Sequence, residues 1–128
     1  MEELTLQPIG YISTRPGDVP NFYTVSDVEG KLVIDEKYLP GLLDIAAGQE
    51  ILVVFQFHKS PPFSDERLRV IPPRENRRKG VFSTRSPIRP NPIGISKLKV
   101  KKIEGSVIHA GNLDMIDGTP ILDIKSVQ

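Results

Sequence analysis

Apolar residues along the chain fall into short runs, most of which alternate with polar residues or are rich in β-branched side chains. The strongest run is Glu50–His58, which combines Ile, Val and Phe and predicts a strand in the centre of a sheet. Lys97–Lys101 alternates Lys with Leu and Val, which predicts a strand with one buried face and a row of lysines in water. Further strands are predicted over Thr5–Ser13, Lys31–Ile34, Val107–Ala110 and Ile121–Ile124.

Helical patterns are scarce. Tyr38–Ala47 has apolar residues partly at helical spacing, which predicts a helical turn or two, kept short by Pro40 and Gly41. A sheet without amphipathic helices to cover it must close on itself or face a second sheet. The pattern therefore predicts a mainly β protein with short helical turns, folded either as a barrel or as a sandwich. The glycine-rich signature of a Rossmann nucleotide site is also missing.

Length and composition narrow the possible functions. The chain has 128 residues, which fits one domain spanning residues 1–128, and it has no Cys; disulfides, cysteine nucleophiles and thiolate metal sites are excluded. No apolar run approaches the roughly 20 residues of a membrane-spanning helix. Because the chain begins Met1-Glu2-Glu3, without the basic and apolar regions of a secretion signal, we expect a cytoplasmic protein.

The net charge of +1 conceals an uneven distribution. Residues 67–102 hold 12 of the 17 Lys and Arg residues and a single acid, Glu75. A zone of that charge favours binding to the phosphates of a nucleic acid. The alternative is that these side chains are solvated and pair with acids elsewhere in the fold.

A proline-rich segment, Gly80–Ser96, interrupts the strand patterns. Three prolines within six residues, Pro87, Pro90 and Pro92, fix backbone φ angles and remove hydrogen-bond donors, which predicts a rigid loop. Arg85 and Arg89 then carry guanidinium groups suited to a carboxylate or phosphate. The other interpretation is a connecting turn whose arginines cap main-chain carbonyl groups.

Three aspartates follow in the segment Gly111–Lys125. Asp117 precedes Gly118-Thr119-Pro120 and is predicted to form a turn. Asp114 and Asp123 are candidates either for acid–base chemistry or for binding a hard cation, and turn formation is the alternative for both. His58 ends the predicted central strand, at a sheet rim where functional side chains often collect.

Two of these segments, GVFSTRSPIRPNPIGIS and NLDMIDGTPILDIK, together with PIGYIS near the start and the strand ending FQFH, resemble the TrmO (TsaA-like) family of S-adenosylmethionine-dependent tRNA N6-adenosine methyltransferases. The resemblance covers nearly the whole chain and departs from the family at Ser126–Gln128. It implies a single small non-Rossmann β-barrel, a homodimer, and methyl transfer to N6 of threonylcarbamoyladenosine beside the tRNA anticodon. The alternative is a non-enzymatic barrel that binds RNA or senses S-adenosylmethionine.

The resemblance also assigns residues. Because N6 of the adenosine bears a proton that must leave, a general base is expected. The candidate bases, and hence the predicted catalytic residues, are Asp114 and His58. Unpaired edges of the short strands are a second reason to expect a homodimer. The implied contacts to the cofactor S-adenosylmethionine are Tyr23, His58, Lys59, Arg85, Ile95, Gly111, Asn112, Leu113 and Asp114. The predicted contacts to tRNA are Arg74, Arg77, Arg78, Lys79 and Arg89. No metal is predicted.

Overall fold

The computed structural model describes residues 1–17, 19–20 and 22–128. Its eight strands are β1 (Gly10–Ser13), β2 (Gly30–Ile34), β3 (Glu50–Gln56), β4 (Arg69–Val70), β5 (Lys79–Gly80), β6 (Ile93–Glu104), β7 (Val107–Gly111) and β8 (Pro120–Ser126). Short 3₁₀ turns cover Tyr23–Val25, Glu36–Leu42, Asp65–Leu68 and Val81–Ser83.

Six of the strands close into a barrel in the order β1-β2-β7-β6-β3-β8, and every neighbouring pair is antiparallel. The predicted small β-barrel with short helical turns is confirmed. Closure gives each barrel strand a neighbour on both sides. The expectation of unpaired strand edges was therefore wrong, because the ends of the sheet pair with each other, and those edges give no reason for a dimer.

The core fills the barrel with the inward side chains of alternating strand positions. On β3 these are Ile51, Val53 and Phe55, at most 3% exposed, and they face Leu98 and Val100 of β6, at most 1% exposed. The lysines predicted to face water along β6 do lie on its outer surface. The period of two in the sequence thus identified both faces of this strand correctly.

Element boundaries differ most from the predictions at three places, and the other strand ends differ by one or two residues. The first strand begins at Gly10 and not at Thr5, since Pro8 has no N–H to donate to a neighbouring strand. The predicted helical segment is a 3₁₀ turn over Glu36–Leu42 that contains Pro40. Strand β6 starts at Ile93, immediately after the proline-rich loop, and is longer than its alternating lysines indicated.

A long excursion, residues 57–92, leaves the barrel after β3 and returns at β6. Within it, β4 and β5 pair as a two-stranded sheet that the sequence did not predict. Because β3 and β6 are antiparallel neighbours, the excursion begins and ends at the same end of the barrel. That end is called the site end below; β7 runs toward it and ends at Gly111, opposite Lys99, and β8 starts there at Pro120. In the described residues no helix is long and apolar enough to cross a membrane.

Candidate functional site

The carboxyl group of Asp114 is the best-defined polar centre at the site end. Its Oδ1 accepts a hydrogen bond from Ser96 Oγ at 2.6 Å, and its Oδ2 accepts one from the Tyr23 backbone N–H at 2.9 Å. Ser96 is 1% exposed and points inward from β6. Two donors from distant parts of the chain therefore fix the orientation of one carboxylate.

The backbone before Asp114 is held by a network that starts where β7 ends. Asn112 adopts a left-handed conformation, φ 67°, which Asn tolerates better than most residues, and its side chain donates to the Ser26 carbonyl at 2.9 Å. Leu113 is fully buried and its N–H donates to the Val28 carbonyl at 3.0 Å. The Ser26 hydroxyl in turn donates to the Leu113 carbonyl. These contacts make the turn rigid.

Arg85 brings a positive charge to the same place from the proline-rich loop. Its Nη1 donates to the Ile95 carbonyl at 3.1 Å, and its guanidinium carbon lies 6.0 Å from the centre of the Tyr23 ring. The guanidinium is exposed and has N–H groups beyond the one used on Ile95. The predicted residues Tyr23, Arg85, Ile95 and Asp114 thus converge, although they are spread over 91 positions of sequence.

Burial and charge act against each other on Asp114. Burial raises the pKa of its carboxyl group above the usual value, while the hydrogen bonds from Ser96 and from the Tyr23 N–H, and the charge of Arg85, lower it. The net shift is upward. A carboxylate that is costly to ionise is stabilised by any further cation that approaches it. Asp114 is therefore suited to face a positively charged group.

His58 and Lys59 lie on a separate loop at the site end, just after β3. Burial, and secondarily the positive charge of Lys59, lower the pKa of His58, which favours the neutral form of its ring. Its Nε2 lies next to Gly118, 3.8 Å from where a Cβ on that residue would stand. Within the described part of the chain, no hydrogen bond joins His58 to Asp114. Both groups border the same end of the barrel.

Gly111 is buried beneath a lysine. A Cβ at Gly111 would lie 2.9 Å from Cε of Lys101, closer than carbon atoms approach without moving. The Lys101 side chain therefore lies across the Gly111 backbone, on the outer surface of the barrel.

The predicted nucleic-acid contacts divide into two groups. Arg74, Arg77 and Arg78 are exposed on the turn that joins β4 to β5. Lys79 pairs with Glu75 at 2.7 Å. Arg89 donates to the carbonyls of its own loop, at Thr84 and Ser86, both at 3.1 Å. Arg89 thus caps main-chain carbonyl groups, the alternative that the sequence had left open for this loop.

The other two aspartates lie outside this site. Asp117 accepts a hydrogen bond from the Thr14 N–H at 3.0 Å, which fits the predicted turn. Asp123 pairs with Lys125 at 2.7 Å on the surface. Across the described residues, no group of three or more His, Asp or Glu side chains is arranged to hold a metal ion.

Sequence reasoning missed Ser96, although a signal for it exists. Ser96 has the same strand parity as Leu98 and Val100, which places a hydroxyl on the buried face. A buried hydroxyl needs a partner, and here that partner is Asp114.

Comparisons with known proteins identify the family of this chain. The family model for the tRNA-methyltransferase O N-terminal domain matches residues 14–127. The S-adenosyl-L-methionine-binding protein of Archaeoglobus fulgidus is 36% identical over 125 residues, which cover 95% of this chain and 88% of that protein. The human tRNA (adenine(37)-N6)-methyltransferase is 47% identical over 85 residues, 66% of this chain and 19% of that protein.

A solved structure has the same fold. TrmO from P. aeruginosa superposes with a TM-score of 0.74 at 26% identity, over 100% of this chain and 56% of that one. The chain thus spans most of the Archaeoglobus relative, about half of the TrmO chain and about a fifth of the human protein.

Proposed function

The chain belongs to the tRNA-methyltransferase O N-terminal domain family, as its sequence motifs indicated, and from this premise we propose that it binds S-adenosylmethionine at the Asp114 site and methylates N6 of an adenosine in tRNA. The finer proposal is that the adenosine is threonylcarbamoyladenosine next to the anticodon. The observation that carries the proposal is the oriented, half-buried carboxylate of Asp114 beside the guanidinium of Arg85.

The donor set fits this cofactor. S-adenosylmethionine carries a carboxylate, an ammonium and a sulfonium group, so its site needs one cationic and one anionic side chain. Arg85 has free N–H groups for the carboxylate. Asp114 keeps lone pairs beyond those that accept from Ser96 and Tyr23, and a cationic ligand would offset the cost of ionising it. Ile95 and the Tyr23 ring supply apolar contact surface.

S-adenosylmethionine, when bound, supplies an electrophilic methyl group whose bond to sulfur breaks as the bond to N6 forms. The protein then has to hold the reactants in line, which contributes most of the rate in such a transfer. The N6 proton must also leave. His58 is one candidate to accept it, because burial and Lys59 lower its pKa and favour its neutral form, and Asp114 is the other.

The tRNA is proposed to contact the exposed arginines of the β4–β5 turn. Arg74, Arg77 and Arg78 are exposed there, and the turn belongs to the excursion that leaves and re-enters the barrel at the site end. An anticodon loop is single-stranded, so its bases reach a protein site with little unstacking cost. Lys79 and Arg89, with the internal partners described above, would contribute less than these three.

We further propose a cytoplasmic homodimer. Ile93 on the outer face of β6 is 37% exposed, and Phe82 is 75% exposed. Large exposed apolar side chains favour a protein–protein contact when they adjoin. Light scattering that reports only monomer at working concentration would contradict this part of the proposal.

A second candidate function is binding of S-adenosylmethionine without catalysis. The Archaeoglobus relative, most of whose length this chain spans, is named only for binding that molecule, and the human methyltransferase is about five times longer than the region shared with this chain. Both candidates need the same cofactor site. They differ in whether a methyl group reaches RNA.

The test has two measurements on the full chain. Calorimetry should show about one S-adenosylmethionine site per chain, with micromolar affinity as the order of magnitude, and Asp114→Asn should weaken it. Transfer of labelled methyl to tRNA carrying the threonylcarbamoyl group, and not to tRNA lacking it, would support the enzyme and its finer substrate. Cofactor binding without transfer to either tRNA would favour the second candidate. No binding by folded protein would refute both.

A further inference from the structure

The outer surface of β2, β7 and β6 carries four exposed lysines in two adjacent rows. In the first row, Lys31 of β2 and Lys102 of β6 are the strand neighbours of His109, which lies between them on β7. In the second row, one step nearer the site end, Lys99 is the strand neighbour of Gly111, which Lys101 covers. We call Lys31, Lys99, Lys101 and Lys102 the lysine face.

A bulge in β6 adds one lysine to this face. The register with β7 shifts between Val100 and Lys102, so Lys101 is the extra residue of a β-bulge, and both Lys101 and Lys102 are exposed. Bulges re-aim side chains in this way. The bulge directs Lys101 toward the site, because the Lys101 side chain lies across Gly111 and the turn that leads to Asp114 begins at the next residue, Asn112.

The charges of the face are only partly balanced by the protein. Lys102 pairs with Glu104 at 3.2 Å, and His109 contacts the same carboxylate at 2.6 Å. Among the described residues, no carboxylate lies within 4 Å of the ammonium groups of Lys31, Lys99 and Lys101. The positive charge of these three lysines is therefore not neutralised by an ion pair within the described part of the protein.

Protection of a strand edge does not explain these lysines. Lysines on edge strands prevent unwanted pairing with other chains, but β6 lies between β3 and β7, and β2 lies between β1 and β7, in a closed barrel. Neither strand has an edge to protect. A bound polyanion would instead neutralise the charges of these lysines. Alternate residues on one strand face stand about 7 Å apart, so successive lysines reach separate groups along an extended ligand.

We propose that the lysine face binds the sugar–phosphate backbone of RNA and guides it along the barrel wall to the Asp114 site, as a contact distinct from the arginine turn between β4 and β5. RNA is favoured over an acidic protein because the face leads to the site whose proposed substrate is RNA. The choice of RNA as the bound polyanion therefore rests on the proposed function. The contact is sequence-independent, since phosphate contacts position a ligand and carry no base information.

The test compares two double variants of the full chain that change the net charge equally. Lys99→Gln/Lys101→Gln removes two cations of the face, and Lys37→Gln/Lys125→Gln removes two that lie outside it, on the 3₁₀ turn Glu36–Leu42 and on β8. The affinity for tRNA is measured over a range of salt concentrations. The logarithmic salt slope should become shallower by about 1.4 to 1.8 in the first variant, because each lost phosphate contact accounts for about 0.7 to 0.9. The control should keep the parent slope.

An unchanged slope in the first variant would overturn the proposal and leave an acidic protein as the candidate ligand. Equal losses in both variants would also overturn it, since net charge alone would then explain the effect. Absence of tRNA binding by the parent would do the same. Methyl transfer is measured separately, so that an inactive parent with salt-dependent RNA binding refutes the proposed activity and not the lysine face.

A second measurement needs no substitution. Lysines of the parent are acetylated with and without saturating tRNA, and the sites are quantified by mass spectrometry. Lys99 and Lys101 should be protected several-fold, while Lys37 and Lys125 should react equally in both samples. Equal modification of all four lysines would contradict the proposal even if the double variant failed to fold.

Discussion

Replacing Ser96 with Ala tests whether the buried hydroxyl positions the Asp114 carboxylate for a cationic ligand. The substitution removes the 2.6 Å hydrogen bond to Oδ1 and keeps the bond from the Tyr23 N–H to Oδ2. A hydrogen bond to a charged group contributes about 1.5 to 3 kcal/mol. If that stabilisation is lost from the liganded state, the affinity for S-adenosylmethionine falls by roughly ten- to a hundredfold, since 1.4 kcal/mol is tenfold.

The same variant has a pH signature. The ligand needs ionised Asp114, so affinity is lost as the pH falls through the pKa of this carboxyl group, which burial already raises. The Ser96 hydroxyl lowers that pKa, and its removal raises it further. In Ser96→Ala the loss of affinity should therefore begin at higher pH than in the parent.

The assay is calorimetric titration with S-adenosylmethionine across pH, with thermal unfolding as a check on the fold. Ser106→Ala is the matched control, because Ser106 lies in the turn between β6 and β7 at the opposite end of the barrel. Affinity within twofold of the parent, together with an unshifted pH profile, would refute the positioning role. A loss of affinity that is the same at every pH would indicate a structural role only.

Three further predictions follow from single features of the structure. Arg85→Ala should weaken S-adenosylmethionine binding by calorimetry at least tenfold, whereas retention of affinity would exclude this guanidinium as the partner of the ligand carboxylate. Gly94→Ala should lower the free energy of unfolding by about 1 to 3 kcal/mol in denaturant titration, because a Cβ there would stand 2.6 Å from a phenylalanine ring; an unchanged midpoint would contradict this. Replacing Arg74, Arg77 and Arg78 together with Ala should reduce the logarithmic salt slope of tRNA binding by about one unit per lost contact and leave cofactor affinity unchanged. Equal methylation by variant and parent at low and high salt would show that the RNA binds elsewhere.

The sequence by itself determined the local structure of this protein. Alternation over Lys97–Lys101 identified the buried and exposed faces of this part of β6, because successive side chains of a regular strand point to opposite faces. The prolines from Pro87 to Pro92 predicted a loop because the pyrrolidine ring constrains φ and removes an N–H wherever it occurs. The family motifs likewise led to Asp114 and Arg85 before any contact was known.

Only the tertiary structure decided how these groups meet. Asp114 receives its two hydrogen bonds from Ser96, 18 positions away, and from Tyr23, 91 positions away. Its pKa is raised because these distant segments bury its carboxyl group. Barrel closure, which removed the expected strand edges, is also a long-range pairing, between β1 and β8. Such contacts depend on how distant segments are brought together, and neither residue parity nor local backbone preference carries that information.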